Sequence, residues 1–229
     1  MVKNILILLL VVFTKIGIAQ TKIQEGKILF DITYEDVPVQ LQSKVEQLAK
    51  DAVIYFKDKK SRTEMGLGAF GKNTTIVDKD SNTIYVLLNV FGNRFALKKS
   101  TEELLQMNNT QLKILQPELQ NDIRTIAGYS CKHIVVKSVT NNDTSETHCW
   151  YAPQISPINF NNDPNFEKIE GMVLEYDMHA DQMKIHLKAK EVIQQTIEAS
   201  LFKVPLNYQL VDEAELNRRM QVIMNKGQN

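Results

Sequence analysis

The sequence predicts an α+β fold: one curved antiparallel β-sheet with a few helices packed on one face. Three observations lead there. Most of the chain alternates apolar and polar residues with period two, as half-buried strands do. The alternating segments follow one another through short turn clusters, whereas parallel neighbours would need long crossovers. Apolar stripes at helical spacing are few, and they need a sheet face to cover them.

The elements follow in chain order. Residues 1–19 read as a signal peptide, with Lys3 as the positive region, Ile5 to Phe13 as an unbroken apolar run and Gly17-Ile18-Ala19 as the small-residue cleavage site. The run is far shorter than the ~20 residues of a membrane span. The mature chain is expected at 20–229 as a single domain, with no stable membrane span after cleavage. No Cys follows the cleavage site, so no N-terminal lipid anchor is expected. The first strand is Ile28, Phe30, Ile32 and Tyr34 alternating with Lys27, Asp31 and Thr33. Asp36 and Pro38 then read as a helix cap and first turn, with Leu41, Val45, Leu48, Ala49 and Ala52 at helical spacing.

Ala52 to Phe56 is apolar on both faces. Thr75–Asp78 and Thr83–Val90 flank the turn cluster Asp80-Ser81-Asn82, and Gly92-Asn93 marks a tight hairpin into Phe95, Leu97 and Lys99. Ser100 to Glu103 is a capping box opening a short helix that carries Leu104 and Leu105. The clearest alternation is Met172, Leu174, Tyr176 and Met178, then Met183, Ile185, Leu187 and Ala189, a long hairpin with one wet face. Asp212 to Glu215 opens a C-terminal helix, about 212–225, with Leu216, Met220, Ile223 and Met224 as its stripe.

Charge excludes some functions. The chain has 27 basic and 27 acidic residues. Loss of Lys3 and Lys15 with the signal leaves 25 against 27, so neither nucleic acid nor anionic lipid is an expected partner. Cys131 and Cys149 are the two cysteines, and an even pair in an exported chain reads as a disulfide, with two reduced buried thiols as the alternative. Asn141-Asn142-Asp143 is a turn signal near the midpoint between them. Folding the flanking strands so that the cysteines face each other makes facing residue numbers sum to 280. His133 then lies near Thr147 on the cysteine face and His148 opposite Lys132 on the other face, so the two cannot share a metal without a bulge.

Catalytic motifs do not assemble. Gly66-Leu67-Gly68-Ala69-Phe70-Gly71 matches the dinucleotide pattern G-x-G-x-x-G, but Lys72-Asn73-Thr74-Thr75-Ile76-Val77 after it reads as a strand rather than the required helix. The reading is an inter-strand loop. His179 lies near a hairpin tip, His186 near Asp177, and no histidine has ligand spacing. Glu175 and Asp177 share a strand face, read as solvated rather than as a glycosidase pair. The expectation is therefore no enzyme, no cofactor and no metal.

Several segments resemble a known family. Gly128-Tyr129-Ser130-Cys131-Lys132, Trp150, Gly171-Met172-Val173-Leu174-Glu175 and Phe202-Lys203-Val204-Pro205-Leu206-Asn207-Tyr208, with the opening GKILFDITYED, are similar to small secreted Gram-negative bacterial proteins of unknown function. A sister family carries a GLPGLI motif, for which Ile169-Glu170-Gly171-Met172-Val173 stands here. The resemblance implies a half-open barrel like that of the LolA-type lipoprotein carriers, in the periplasm or secreted. It implies an apolar ligand, lipid or acyl, between sheet and helices, with Leu41, Val45, Leu48, Met172, Leu174, Tyr176, Met178, Met183, Ile185 and Leu187 as its candidate face. The alternative is a structural or interaction module whose partner is another envelope protein.

Overall fold

The computed structural model describes residues 22–68, 71–100, 102–103, 113–140, 143–156, 166, 168–180 and 183–226. The expected signal peptide, Leu104 and Leu105 lie outside these residues. Among the described residues, one sheet of thirteen strands organises the molecule. The strands are β1 (Glu25–Glu35), β2 (Asp51–Lys57), β3 (Lys60–Gly66), β4 (Gly71–Asp78), β5 (Thr83–Val90), β6 (Asn93–Lys99), β7 (Lys113–Ile114), β8 (Glu118–Ile126), β9 (Tyr129–Thr140), β10 (Asp143–Ala152), β11 (Met172–Ala180), β12 (Met183–Ile193) and β13 (Gln209–Val211). Their order is β13-β6-β5-β4-β3-β2-β1-β12-β11-β10-β9-β7, with β8 also on β9. Every strand pair is antiparallel except β13 with β6. The expected curved antiparallel sheet with few helices is what the chain builds.

Turn chemistry sets the hairpins. Phe91 and Gly92 both have positive φ (48° and 81°) between β5 and β6, and Ala127 and Gly128 repeat the pattern (49° and 84°) between β8 and β9. Two successive positive-φ residues make the type I′ turn whose twist matches that of paired strands. Gly128, the glycine of the family-like motif, has this local role.

The front face carries the main core. Ile28, Phe30 and Ile32 of β1 meet Ala52, Ile54 and Phe56 of β2 on one side and Leu187 and Ala189 of β12 on the other. Tyr176 of β11 and Cys149 of β10 continue the same face, and Phe166 packs edge-on against Tyr176 at 4.9 Å. Helix α2 (Glu213–Lys226) sets Leu216, Met220 and Ile223 against Phe95 and Leu97 near the β6 edge. Its cap is Asp212, whose Oδ1 accepts from the Glu215 amide at 2.7 Å. The back face of β2 and β4–β6 is covered instead by the segment after β12, which includes a 3-10 turn at Ala199–Phe202, through Ile197, Phe202, Val204 and Tyr208.

Two expectations about this framework change. The helical spacing from Leu41 to Ala52 yields only α1 (Val39–Gln42) and a 3-10 turn at Val45–Gln47. Ala52 belongs to β2 and is buried between Phe30 and Met65. Sheet pairing through β2 outweighs the weak periodic signal, and α1 has neither a side-chain cap nor a buried residue. The capping box at Ser100 does form: its amide donates to Glu103 Oε2 at 2.6 Å, and the Glu103 amide to Ser100 Oγ at 3.2 Å.

The second change is the disulfide. β9 and β10 pair as expected, but Thr140 faces Asp143, so facing numbers sum to 283 rather than 280. Cys149 sits opposite Ile134, three residues along β9 from Cys131. Three residues are about 10 Å of strand and an odd step, which puts the thiols on opposite faces and past the ~7 Å a disulfide spans. Both are buried thiols outside any disulfide. Burial pushes the Cys131 thiol up to about 11.

Candidate functional site

The candidate apolar face divides into two parts. Met172, Leu174, Tyr176 and Leu187 are at most 1% exposed, enclosed by the chain's own Ile28, Phe30, Phe166 and Ile169. Further along the same hairpin the packing opens. Met178, Ile185 and Met183 are half-buried. Tyr34 faces Ile185 across β1–β12, and Ile185 faces Met178 across β12–β11. The Tyr34 hydroxyl donates to the Ala49 carbonyl at 2.7 Å, which ties the 43–50 connection to this rim. Burial raises the Tyr34 pKa. Leu48 and Val45 are half-buried in that connection, and Leu41 is exposed. The expected helical cover is therefore a short strap.

Gly68 explains how the strap seats. It has φ +59°, and a Cβ there would lie 1.3 Å from the Gln47 carbonyl oxygen. Gly71, with φ +133°, would place a Cβ 1.8 Å from the Asn89 carbonyl. These glycines of the G-x-G-x-x-G match admit protein backbone, and a strand, β4, begins at Gly71 where the dinucleotide motif would need a helix.

The back face carries a polar array that the 280 register hid. His133 lies opposite Trp150 and His148 opposite Val135, so both imidazoles share one face. His133 Nε2 and His148 Nδ1 are 3.1 Å apart, and His133 Nδ1 is 3.0 Å from Asp122 Oδ2. The expectation of opposite faces is overturned. Asp122 reaches His133 because β8 bulges between Leu119 and Ile123. The Trp150 ring stacks on His133 at 4.6 Å and 10°, and the Arg124 guanidinium lies 3.8 Å from a Trp150 ring centroid.

Arg124 also binds Glu175 at 2.5 Å. Glu175 is 5% exposed, so the expected wet face is dry here: Arg124, reaching from β8, and Lys188 and His186 of β12 close over it. His186 Nδ1 is 2.6 Å from Asp177 Oδ1, as the sequence suggested. Burial would raise the Asp177 carboxyl, but hydrogen bonds from His186 and Lys184 outweigh it and hold it low. Among the described residues, no group of three or more His, Cys, Asp or Glu converges as a metal site. The sequence signal that would have found the histidine pair was the Asn141-Asn142 dipeptide, whose numbers sum to 283.

No family profile and no curated protein matches the chain, so the family resemblance rests on the quoted motifs alone. The solved structure of PNGF-II aligns with 87% of this chain and 34% of its own, at 13% identity and a TM-score of 0.51. The likeness is one of fold. The chain spans about a third of that protein's length. Lipoprotein LppX of Mycobacterium tuberculosis aligns over 76% of this chain and 89% of its own, at 10% identity and a TM-score of 0.39. LprF of Mycobacterium bovis aligns over 81% and 90%, at 9% identity and 0.33. The latter two scores support no functional argument. Among the described residues, no helix is long and apolar enough to cross a membrane.

Proposed function

We propose that this chain is a non-catalytic, extracytoplasmic module that shelters an apolar ligand, a lipid or acyl chain, at the front-face rim. The observation that carries this reading is the change in packing along one hairpin. Its closed end is fully buried, whereas Tyr34, Met65, Met178 and Ile185 form a half-buried apolar rim, with Tyr34 bonded to the strap at Ala49. Methionine suits such a surface because its thioether repacks around varied shapes. The non-catalytic part is supported by the company the histidines keep: His133 bonds a carboxylate and a second imidazole, and His186 bonds carboxylates.

Titration with an environment-sensitive apolar dye tests the proposal. Saturable binding that weakens at least about tenfold in a folded Ile185→Trp protein supports the rim, since the indole would fill it. Non-saturable binding, or binding unchanged by I185W, refutes it. One observation favours a second reading, an envelope-protein interaction module: Leu119 and Ile123 of β8 are 59% and 68% exposed. Loss of a captured envelope protein in a Leu119→Ser/Ile123→Ser variant, with dye binding absent throughout, would select that reading.

A further inference from the structure

We infer that His133 and His148 form a chelating site for a borderline divalent cation, cupric ion in first place and zinc in second. The inference is independent of the apolar rim, which lies on the other face of the sheet. Two nitrogens of one ion, each about 2.0–2.1 Å from it and roughly 90–109° apart, are about 2.8–3.4 Å from each other. His133 Nε2 and His148 Nδ1 are 3.1 Å apart. The pair, hydrogen-bonded to each other, therefore already stands at chelating separation, and exposed His148 can turn so that both lone pairs meet on the ion.

The surroundings favour that role. Asp122 Oδ2 lies 3.0 Å from His133 Nδ1. A carboxylate there favours the tautomer with the proton on Nδ1 and the lone pair on Nε2, which is the outer-shell arrangement of metal-bound histidines. Trp150 stacks on the His133 ring and fixes its plane. Arg124, the cation over Trp150, is compensated by buried Glu175. His148 is exposed, so an ion can enter from solvent, and water or a partner group would complete its coordination. Neutral imidazole suits copper and zinc, and cupric ion binds tightest of the divalent series.

Trp150 is the single tryptophan of the chain and supplies the readout. Chelator-treated full-length protein is titrated with copper sulfate in a non-coordinating buffer while Trp150 emission is followed. Quenching should saturate at one equivalent and reverse with excess EDTA. Electron paramagnetic resonance of the cupric complex should show two nitrogen ligands. His148→Gln, at an exposed position, should weaken binding at least about tenfold and remove one nitrogen; Asp122→Asn should weaken it by about tenfold. His186→Gln, in the separate Asp177 pair, should leave the titration unchanged. Absence of saturable quenching, or equal affinity in H148Q, overturns the site. Equal affinity in D122N overturns the role given to Asp122.

Discussion

Arg124 ties β8 to the centre of the back face, and its removal should weaken the whole fold. In Arg124→Met the aliphatic stem stays while two interactions go. The first is the 2.5 Å ion pair with Glu175, whose side chain is 7% exposed. Breaking a buried pair by deleting one partner costs ~3–5 kcal/mol. Two facts reduce that here: Arg124 is itself 36% exposed, and Lys188 at 3.3 Å and His186 at 3.5 Å still serve Glu175. A residual cost of about 2 kcal/mol follows from solvent screening and the remaining partners. The second loss is the cation–π contact with Trp150, ~0.5–1 kcal/mol. The expected total is about 2–3 kcal/mol, read from urea unfolding by Trp150 emission and far-ultraviolet dichroism. Glu175→Gln and the double variant complete a cycle whose coupling should be about 1–2 kcal/mol. A loss under about 0.5 kcal/mol in R124M, or additivity of the two changes, would refute the buried-pair argument.

Thiol titration of the unreduced, denatured protein should find two thiols, because the β9–β10 register keeps Cys131 and Cys149 from bridging. In the native state at pH 8 Cys131, pushed up to about 11 by burial, should react about a hundredfold more slowly than an ordinary thiol; a missing pair of thiols on denaturation would contradict the register. Gly68→Ala should lose more than about 2 kcal/mol or displace the strap, since the new Cβ meets the Gln47 carbonyl at a positive φ; unchanged stability would dismiss the close approach. Acid should destabilise the fold. Glu64 is held below the usual carboxylate range because hydrogen bonds and ion pairs from Lys72 and Arg62 outweigh its burial, and Asp177 is low through His186 and Lys184. Lowered folded values contribute stability present above the unfolded values of about 4 and lost as pH falls through the folded ones, so the melting temperature should drop from about pH 5 downward. Glu64→Gln should flatten that slope, and an unchanged slope would count against the Arg62–Glu64–Lys72 cluster.

Strand content was legible because burial on a half-covered sheet writes period two into the chain, as in Ile28-Phe30-Ile32 and in the β11–β12 hairpin. Both helix caps, at Ser100 and Asp212, were legible because capping uses residues close in sequence. Register was harder. Taking the cysteines as facing shifted β9 against β10 by an odd number and moved His148 to the wrong face, whereas the Asn141-Asn142 dipeptide of the sequence sums to the observed 283. Glu175 read as solvated because alternation describes one strand at a time. Its cover comes from Arg124, some fifty residues away, through a bulged strand. The stripe from Leu41 to Ala52 misled because its last member had already entered β2.

Mass spectrometry of an organic extract of the protein, purified from its native host without detergent, tests the proposed function most directly. The rim proposal predicts a lipid or acyl species at near one equivalent, depleted in the folded Ile185→Trp protein. An extract no richer than that of I185W, together with no saturable uptake of an apolar dye, would contradict it.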